Sequence, residues 1–219
     1  MRSTRTKRVT TTIAASCAIA LAGSALSAGP VNAQYPSDSP QARIITLSKK
    51  GVPYKCKSTN SVVNDAIGGP QRFLVDGSAK FKGSFKPGTR IKVRGVHLTL
   101  VMPKKLVKKV RRDLGVRRVR GSADVKFDVK GNKGTDKMKV TGLRSGWKKL
   151  PRNKKLRIPT TGEADPYKIP NGTKRLSLLA PKKFKIHAHL RPPAVGIVKK
   201  TDLNCKFVGK GRSLGKFPV

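Results

Sequence analysis

Two short patterns of histidine and serine are the first candidates for chemistry in this sequence. His187 and His189 form an H-x-H pattern, a spacing that lets two imidazoles on one strand face reach one metal ion. Residues 211–215 spell G-x-S-x-G, the serine hydrolase pattern, which requires an acid and a histidine later in the chain. Only four residues follow, and none is Asp, Glu or His, so we interpret this match as coincidental.

The sequence does not favour a metal site at these histidines or a cofactor site elsewhere. An ion held by His187 and His189 needs a third ligand, for which His97 and Asp202 are the candidates. The strong positive charge of the chain also opposes cation binding, so we expect two polar residues on a solvent-facing strand and no metal. Neither a P-loop nor a dinucleotide-binding glycine pattern occurs, and we therefore predict no cofactor.

Positive charge is the strongest chemical signal in the sequence. The 219 residues include 50 Lys and Arg against 10 Asp and Glu, which gives a formal net charge of +40. Glu163 is the only glutamate, and this shortage of acids disfavours catalysis by paired carboxylates. The large positive charge also disfavours any cationic partner. Lysine outnumbers arginine by 32 to 18, which favours diffuse attraction of polyanions over bidentate recognition.

The densest basic stretch that also contains an aromatic residue is segment 144–157, in which Trp147 is expected to pack in the core. With the basic face of a helix predicted at 103–114, it is the first candidate for a polyanion-binding surface. The alternative is that the charges only solvate an exported protein. The candidate side chains are Arg144, Lys148, Lys149, Arg152, Lys154, Lys155, Arg157, Lys104, Lys105, Lys108, Lys109, Arg111 and Arg112.

The first 33 residues have the pattern of a secretory signal peptide. Basic residues up to Arg8 precede an apolar stretch from Ile13 to about Leu26, and Val31-Asn32-Ala33 resembles a cleavage site. We expect a secreted mature chain that starts at Gln34, with a charge of +36 after the loss of four Lys/Arg and no acid. No later apolar run reaches about 18 residues, so no transmembrane segment is predicted in the mature chain.

Two cysteines, Cys56 and Cys205, remain once this leader is removed. Two cysteines in a secreted chain predict one disulfide. The competing hypothesis is a metal-binding or catalytic thiol, but neither residue has a C-x-x-C or Cys/His spacing nearby.

Alternation of apolar and charged residues is the main structural signal. It runs through segments 72–82, 118–129 and 184–191, and it changes register at Gly95, which predicts a β-bulge. One short helix is predicted at 103–114, because the apolar residues there share one face. Short strands separated by Gly and Pro predict an all-β fold, an antiparallel β-sandwich (immunoglobulin-like or similar), with the cysteines bridging its two sheets.

The predicted organisation has four parts. Residues 1–33 are the signal peptide, and residues 34–48 form a flexible N-terminal arm with few apolar anchors. Residues 49–208 form the β-sandwich domain, and residues 209–219 form a Gly/Lys-rich C-terminal tail.

One Cys-containing segment lies near each end of this domain, Tyr54-Lys55-Cys56 and Leu203-Asn204-Cys205. Pro103 with its short helix and several Pro- and Gly-punctuated stretches lie between them. This layout resembles a family of secreted actinobacterial all-β domains of unknown function, with one Cys in the first strand and one in the last. The resemblance covers about residues 50 to 208. It implies an all-β fold and supplies no catalytic residues.

These observations favour a secreted, non-catalytic domain that binds polyanions through diffuse Lys-rich charge. Its expected partners are anionic cell-wall polymers, an anionic lipid surface or nucleic acid, and retention at the cell wall is compatible with that binding. A cationic antimicrobial or inhibitory protein is the alternative, since it shares the charge. A secreted enzyme is less favoured, because no acid/base constellation is present.

Overall fold

Strands dominate the computed structural model, which describes residues 42–219. In this part of the chain 63% of residues are in strands and 9% in helices, so the predicted all-β class is confirmed. The predicted signal peptide, residues 1–33, lies outside the described residues. The elements are β1 (Arg43–Ser58), α1 (Ser61–Ile67), β2 (Gln71–Gly83), β3 (Arg90–Met102), α2 (Lys104–Arg112), β4 (Arg118–Gly131), β5 (Gly134–Arg144), β6 (Lys148–Lys149), β7 (Leu156–Ala164), β8 (Tyr167–Lys168), β9 (Arg175–Leu179), β10 (Lys183–Ala194), β11 (Val198–Phe207) and β12 (Ser213–Pro218).

Eight of these strands close into one antiparallel barrel. Their order around the barrel is β1, β2, β3, β7, β5, β4, β10 and β11, and β11 pairs again with β1. The closing contact joins β4 to β10, where residues 118–124 pair with residues 185–191. β6 and β8 add short pairings to β4 and β3, while β9 pairs with both the far half of β4 and β12.

The predicted β-sandwich, immunoglobulin-like or similar, is therefore wrong. Alternation shows which side chains face a core, and this pattern is the same in a sandwich and in a barrel. The two folds differ in whether the sheet meets itself. Here that depends on the pairing of β4 with β10, a long-range contact that local alternation does not encode.

The local predictions inside the barrel are confirmed. The three alternating segments lie in β2, β4 and β10, and the pairing of β2 with β3 shifts register beside Gly95, whose φ is +58°. The predicted helix is α2, and it buries Leu106, Val107 and Val110 against the barrel. In residues 42–219 neither helix is long and apolar enough to cross a membrane.

α1 is a short helix that the alternation does not predict. Its start is capped by Asn60, whose side-chain oxygen accepts a hydrogen bond from the backbone N–H of Val63 at 3.1 Å. Its end is marked by Gly68 in the left-handed region, with φ of +77°. These two cap residues are the sequence signals of this helix.

Both ends of the predicted domain extend further than expected. β1 begins at Arg43, inside the predicted arm 34–48, and residues 43–48 pair with β2. The predicted tail 209–219 contains β12, which pairs with β9 and buries Phe217 to 3% exposure. A few apolar side chains at alternate positions suffice to add a strand to an existing sheet edge.

The barrel interior holds two apolar clusters, one toward each end. The first lies where α1, α2 and the β10–β11 turn (residues 195–197) cover the barrel, and we call this the helical end. The second lies at the opposite end, where β9 and β12 join the wall. Phe184 and Leu214 contact both clusters, so the two form one continuous core.

The predicted Cys56–Cys205 disulfide is present. Both residues are buried, and they stand directly opposite each other on the neighbouring strands β1 and β11, with Cα atoms 4.0 Å apart. The expectation that the bond bridges two sheets is wrong, because the barrel has a single closed sheet. The bond ties the first strand of the barrel to its last.

Removing the disulfide should lower stability strongly. The Cys56→Ala/Cys205→Ala variant loses a cross-link between residues 149 apart, worth up to roughly 5 kcal/mol by the chain-entropy argument. Urea unfolding with and without reductant measures the effect. Reductant should destabilise the wild type and leave the variant unchanged, and equal midpoints without reductant would contradict the stabilising role of the bond.

Candidate functional site

The predicted polyanion-binding side chains lie on α2 and on segment 144–157, and the structure brings most of them together at the helical end. The guanidinium of Arg111 donates a hydrogen bond to the carbonyl of Leu150 at 2.5 Å, which joins the two segments. Arg144 stands apart, because it lies farther along the barrel wall in an open groove beside Glu163. Most of the candidate side chains are exposed.

Several of the candidates are already engaged within the protein. Arg157 forms an ion pair with Asp76 and Arg112 forms one with Asp113, each at 2.6 Å. The ammonium of Lys109 donates to a backbone carbonyl at the end of α1 at 3.3 Å. The exposed lysines of α2 and of the loop before β7 are therefore better available to a partner than these three.

A continuous row of cations crosses four neighbouring strands of the barrel wall. Register places Lys55 of β1 between Arg72 of β2 and Lys206 of β11, and Lys206 faces Lys183 of β10. All four side chains are exposed, and within residues 42–219 none forms an ion pair. Neighbouring strands lie about 4.8 Å apart, so these like charges repel at a cost to stability. We call these four residues the cation row.

Sequence reasoning missed the cation row, because its members come from four distant segments. The doublet Lys182-Lys183 is visible in the sequence, but Lys55, Arg72 and Lys206 are isolated basic residues. Only strand register shows that they stand side by side. The sequence offers one signal for the cation row, namely that the alternating pattern places each of its members on the outward face of its strand.

A second group of cations surrounds Trp147 at the helical end. Arg118 of β4 faces Lys149 of β6 on one side and Arg191 of β10 on the other. The guanidinium carbon of Arg120 lies 5.0 Å from the centre of the Trp147 ring, within the range of cation–π attraction. Trp147 is 38% exposed, so the expectation that it packs in the core is wrong. Its ring instead forms part of the basic surface.

The imidazole of His189 lies within this second group. Register places it between Arg120 and Lys200 on the outer face. Partial burial, together with Arg120, Lys200 and His187, lowers the pKa of His189 below its ordinary value. Both effects favour the neutral form of the ring.

The other patterns that pointed to chemistry have structural roles. The Nδ1 atom of His187 lies 2.7 Å from a carboxylate oxygen of Asp202, and in residues 42–219 no three His, Cys, Asp or Glu side chains are grouped to hold a metal. Ser213 begins strand β12, whereas the hydrolase pattern requires a helix after its serine.

One acidic residue is buried in the barrel wall. Asp128 accepts hydrogen bonds from Lys137 and, at 2.6 Å, from Arg212, and its side chain is 3% exposed. Burial alone would raise the pKa of Asp128, but the hydrogen bonds and charges of these two cations hold it below its usual value. This carboxylate therefore stays ionised at neutral pH, and its charge balances Lys137 and Arg212 only.

The barrel interior offers little room for a ligand. Three adjoining apolar cavities of about 80, 70 and 30 Å³ lie along it, bordered by the inward-facing glycines Gly77 and Gly121 among larger side chains. Ligand sites in proteins usually enclose about 300–1,000 Å³. These cavities are gaps in a packed core, and the outer cationic wall is the stronger candidate for function.

Charge reversal within the cation row should stabilise the protein. Lys55→Glu converts two repulsive contacts, with Arg72 and Lys206, into attractive ones, and we expect a gain of about 0.5–1 kcal/mol in the free energy of unfolding at low salt. Lys57→Glu is the matched control, since its cross-strand neighbour on β11 is Asn204. Urea unfolding at low and high salt measures both. An equal gain in the two variants would assign the effect to net charge alone.

Loss of the buried carboxylate should be costly and pH-dependent. Asp128→Asn leaves Lys137 and Arg212 without their counter-ion, and we expect a loss of about 3 kcal/mol at neutral pH. Because the pKa of Asp128 is lowered by folding, its contribution is complete above the unfolded-state pKa near 4 and is lost as pH falls through the folded-state value.

The difference between wild type and variant should therefore narrow in acid, as measured by urea unfolding from neutral to strongly acidic pH. Asp113→Asn, at a more exposed pair with Arg112, serves as the control and should change the midpoint little. A gap that stays constant into strong acid would contradict the assigned role of the ionised carboxylate.

Comparison with known proteins places this barrel in a family. Searches among curated proteins and among solved structures give no match. A family model matches residues 53–215, a span that runs from β1 into β12 and includes both disulfide cysteines. Since this span covers most of the chain, the protein belongs to the family of unknown function DUF6801.

Proposed function

We propose that the protein is a secreted, non-catalytic actinobacterial domain that binds extracellular polyanions or the cell envelope through its surface charge. The cation row is the observation that carries this proposal. Four exposed cations side by side on neighbouring strands lower the stability of the folded protein. A function in binding anions would account for their presence. An anionic polymer lying across the strands would contact all four and replace their mutual repulsion with attraction.

The shortage of carboxylates supports the same proposal. Within residues 42–219, five Lys or Arg side chains form ion pairs with acids, namely Arg112, Lys137, Arg157, Lys185 and Arg212. The remaining cations outnumber all the acids of the chain several-fold. The protein cannot neutralise its own surface, and an external polyanion can do so by releasing its counter-ions.

Secretion is supported by two features of different kinds. A disulfide between two buried cysteines is typical of proteins that mature in an oxidising compartment. The leader at residues 1–33 has the sequence pattern of a signal peptide. Anionic wall polymers, lipid headgroups and released nucleic acid are the polyanions that such a protein would meet outside a cell.

Binding should be strong at low salt, weakly selective and steeply salt-dependent. We expect affinity for a teichoic-acid-like polymer, for anionic vesicles and for duplex DNA, falling sharply between about 50 and 500 mM salt as screening shortens from over 10 Å toward a few Å. Titration of each ligand across this range measures the slope. Absence of binding to all three at low salt would contradict the proposal and leave the charge as a solubility device.

Two matched variants test where the attraction resides. The first replaces the four members of the cation row by Gln, and the second replaces Lys148, Lys149, Lys154 and Lys155 by Gln, so both lose the same charge. Both should weaken polymer binding in part, the row variant more, and no single substitution should abolish it. Equal losses would assign binding to net charge without a preferred surface.

A further inference from the structure

Several large apolar side chains are exposed at the helical end of the barrel, and three of them lie in or beside the β10–β11 turn. Ile197 and Val195, in the turn between β10 and β11, are 73% and 44% exposed, and Trp147 is 38% exposed. One open groove is lined by the Trp147 ring and by Pro193 and Lys199, the residues that flank this turn. We call Trp147, Val195 and Ile197 the apolar tip. Large apolar side chains that stand together in water usually mark an interaction surface.

The backbone of the turn is strained at the tip. Val195 has a φ of +44°, and it is the only non-glycine residue in residues 42–219 with a positive φ. A β-branched side chain is poorly suited to this region, where Gly or Asn would be accommodated more easily. Strain of this kind persists where surrounding structure enforces it, and it is concentrated at functional sites.

Hydrogen bonds hold the strained turn in place. The N–H of Val195 donates to the carbonyl of Leu114, just beyond α2, at 3.0 Å. The N–H of Ile197 donates to the carbonyl of Ala194 at 3.1 Å and closes the turn. The exposed Val195 and Ile197 side chains are thus presented by an anchored structure.

Cations surround the apolar tip. Lys199 and Lys200 follow Val198 at the start of β11, Arg191 precedes the turn on β10, and Arg120 lies over the Trp147 ring. The nearest acids along these elements, Asp113 and Asp202, are already paired with Arg112 and with His187 and Lys185. An apolar centre within a basic rim is therefore left without a partner inside the protein.

We propose that the helical end docks onto an anionic lipid bilayer, with the apolar tip entering the headgroup region and the surrounding Lys and Arg side chains contacting lipid phosphates. The proposal deepens the proposed polyanion binding and rests on it, because charge brings the barrel to the surface. Only a bilayer presents anionic groups above an apolar layer. A wall polymer or a nucleic acid duplex offers phosphates but no layer that would accept Ile197.

Trp147 is the single tryptophan of the chain, so its fluorescence reports docking directly. The full chain is mixed with phosphatidylcholine vesicles that contain or lack phosphatidylglycerol. With the anionic vesicles, Trp147 emission should shift to the blue, lose accessibility to acrylamide and be quenched by brominated lipid. A teichoic-acid-like polymer should bind without protecting Trp147 from acrylamide.

Two isoleucines provide a matched pair of variants. Ile197→Ser should weaken binding to anionic vesicles about tenfold, because an apolar side chain no longer leaves water on docking, and should leave polymer affinity unchanged. Ile44 is 64% exposed at the start of β1, at the opposite end of the barrel. Ile44→Ser should change neither affinity.

Val195→Asn separates docking from stability. Asn accepts a positive φ more readily than Val, so the variant should unfold at the same or a higher temperature than wild type. It should nevertheless bind anionic vesicles more weakly, with polymer affinity retained. A merely structural role for Val195 would leave vesicle affinity unchanged.

The outcomes distinguish this inference from the function on which it rests. Unchanged vesicle affinity in Ile197→Ser, an equal loss in Ile44→Ser, or no shift of Trp147 emission on bound vesicles would overturn membrane docking. Retained polymer binding in those cases would leave the polyanion function standing. Failure of the wild type to bind any polyanion at low salt would overturn both.

Discussion

The pairing of β4 with β10 is the contact on which the rest of the structure depends. It closes the sheet, so that the paired parts of β4 and β10 are no longer open edges at which a sheet would otherwise pair with other chains. Closure also makes the outward-facing residues of eight strands one continuous surface around the barrel. In a sequence whose outward positions are rich in Lys and Arg, the closed barrel therefore brings basic residues from distant segments into contact with one another.

The like charges of this surface repel one another and so oppose folding, and the disulfide lies beside one of the places where they face each other across two strands. Lys55 and Lys206 face each other across β1 and β11, and the next pair along the ladder is Cys56 with Cys205. The disulfide thus fastens the two strands directly beside two of the four members of the cation row. The acids do little to relieve this repulsion, since Asp128 is buried and spent on Arg212 and Lys137.

Features that depend on nearby residues followed from the sequence, and features that depend on strand partners did not. The inward and outward faces of β2, β4 and β10, the bulge at Gly95 and the helix α2 are local patterns, and all were predictable. The presence of two cysteines was enough to predict the disulfide, but it did not predict that the bond joins two neighbouring strands of one sheet. Barrel closure and the cation row require register between segments far apart in the chain. Trp147 was misplaced because an aromatic residue in a basic segment suits a core and a binding surface equally well.

Charge and apolar exposure have complementary effects at different distances from a charged surface. A cationic wall attracts polyanions over roughly a Debye length, but this attraction does not by itself determine which end of the barrel meets a surface, because the field sums over many sites. Side chains such as Ile197 act only at contact, yet they select both the end of the barrel that meets the surface and the kind of surface that accepts it. A glycine at position 195 would relax the turn, and an additional lysine would strengthen the attraction. A valine held at positive φ does neither, and what it adds is apolar area at the point where the barrel would first touch a bilayer.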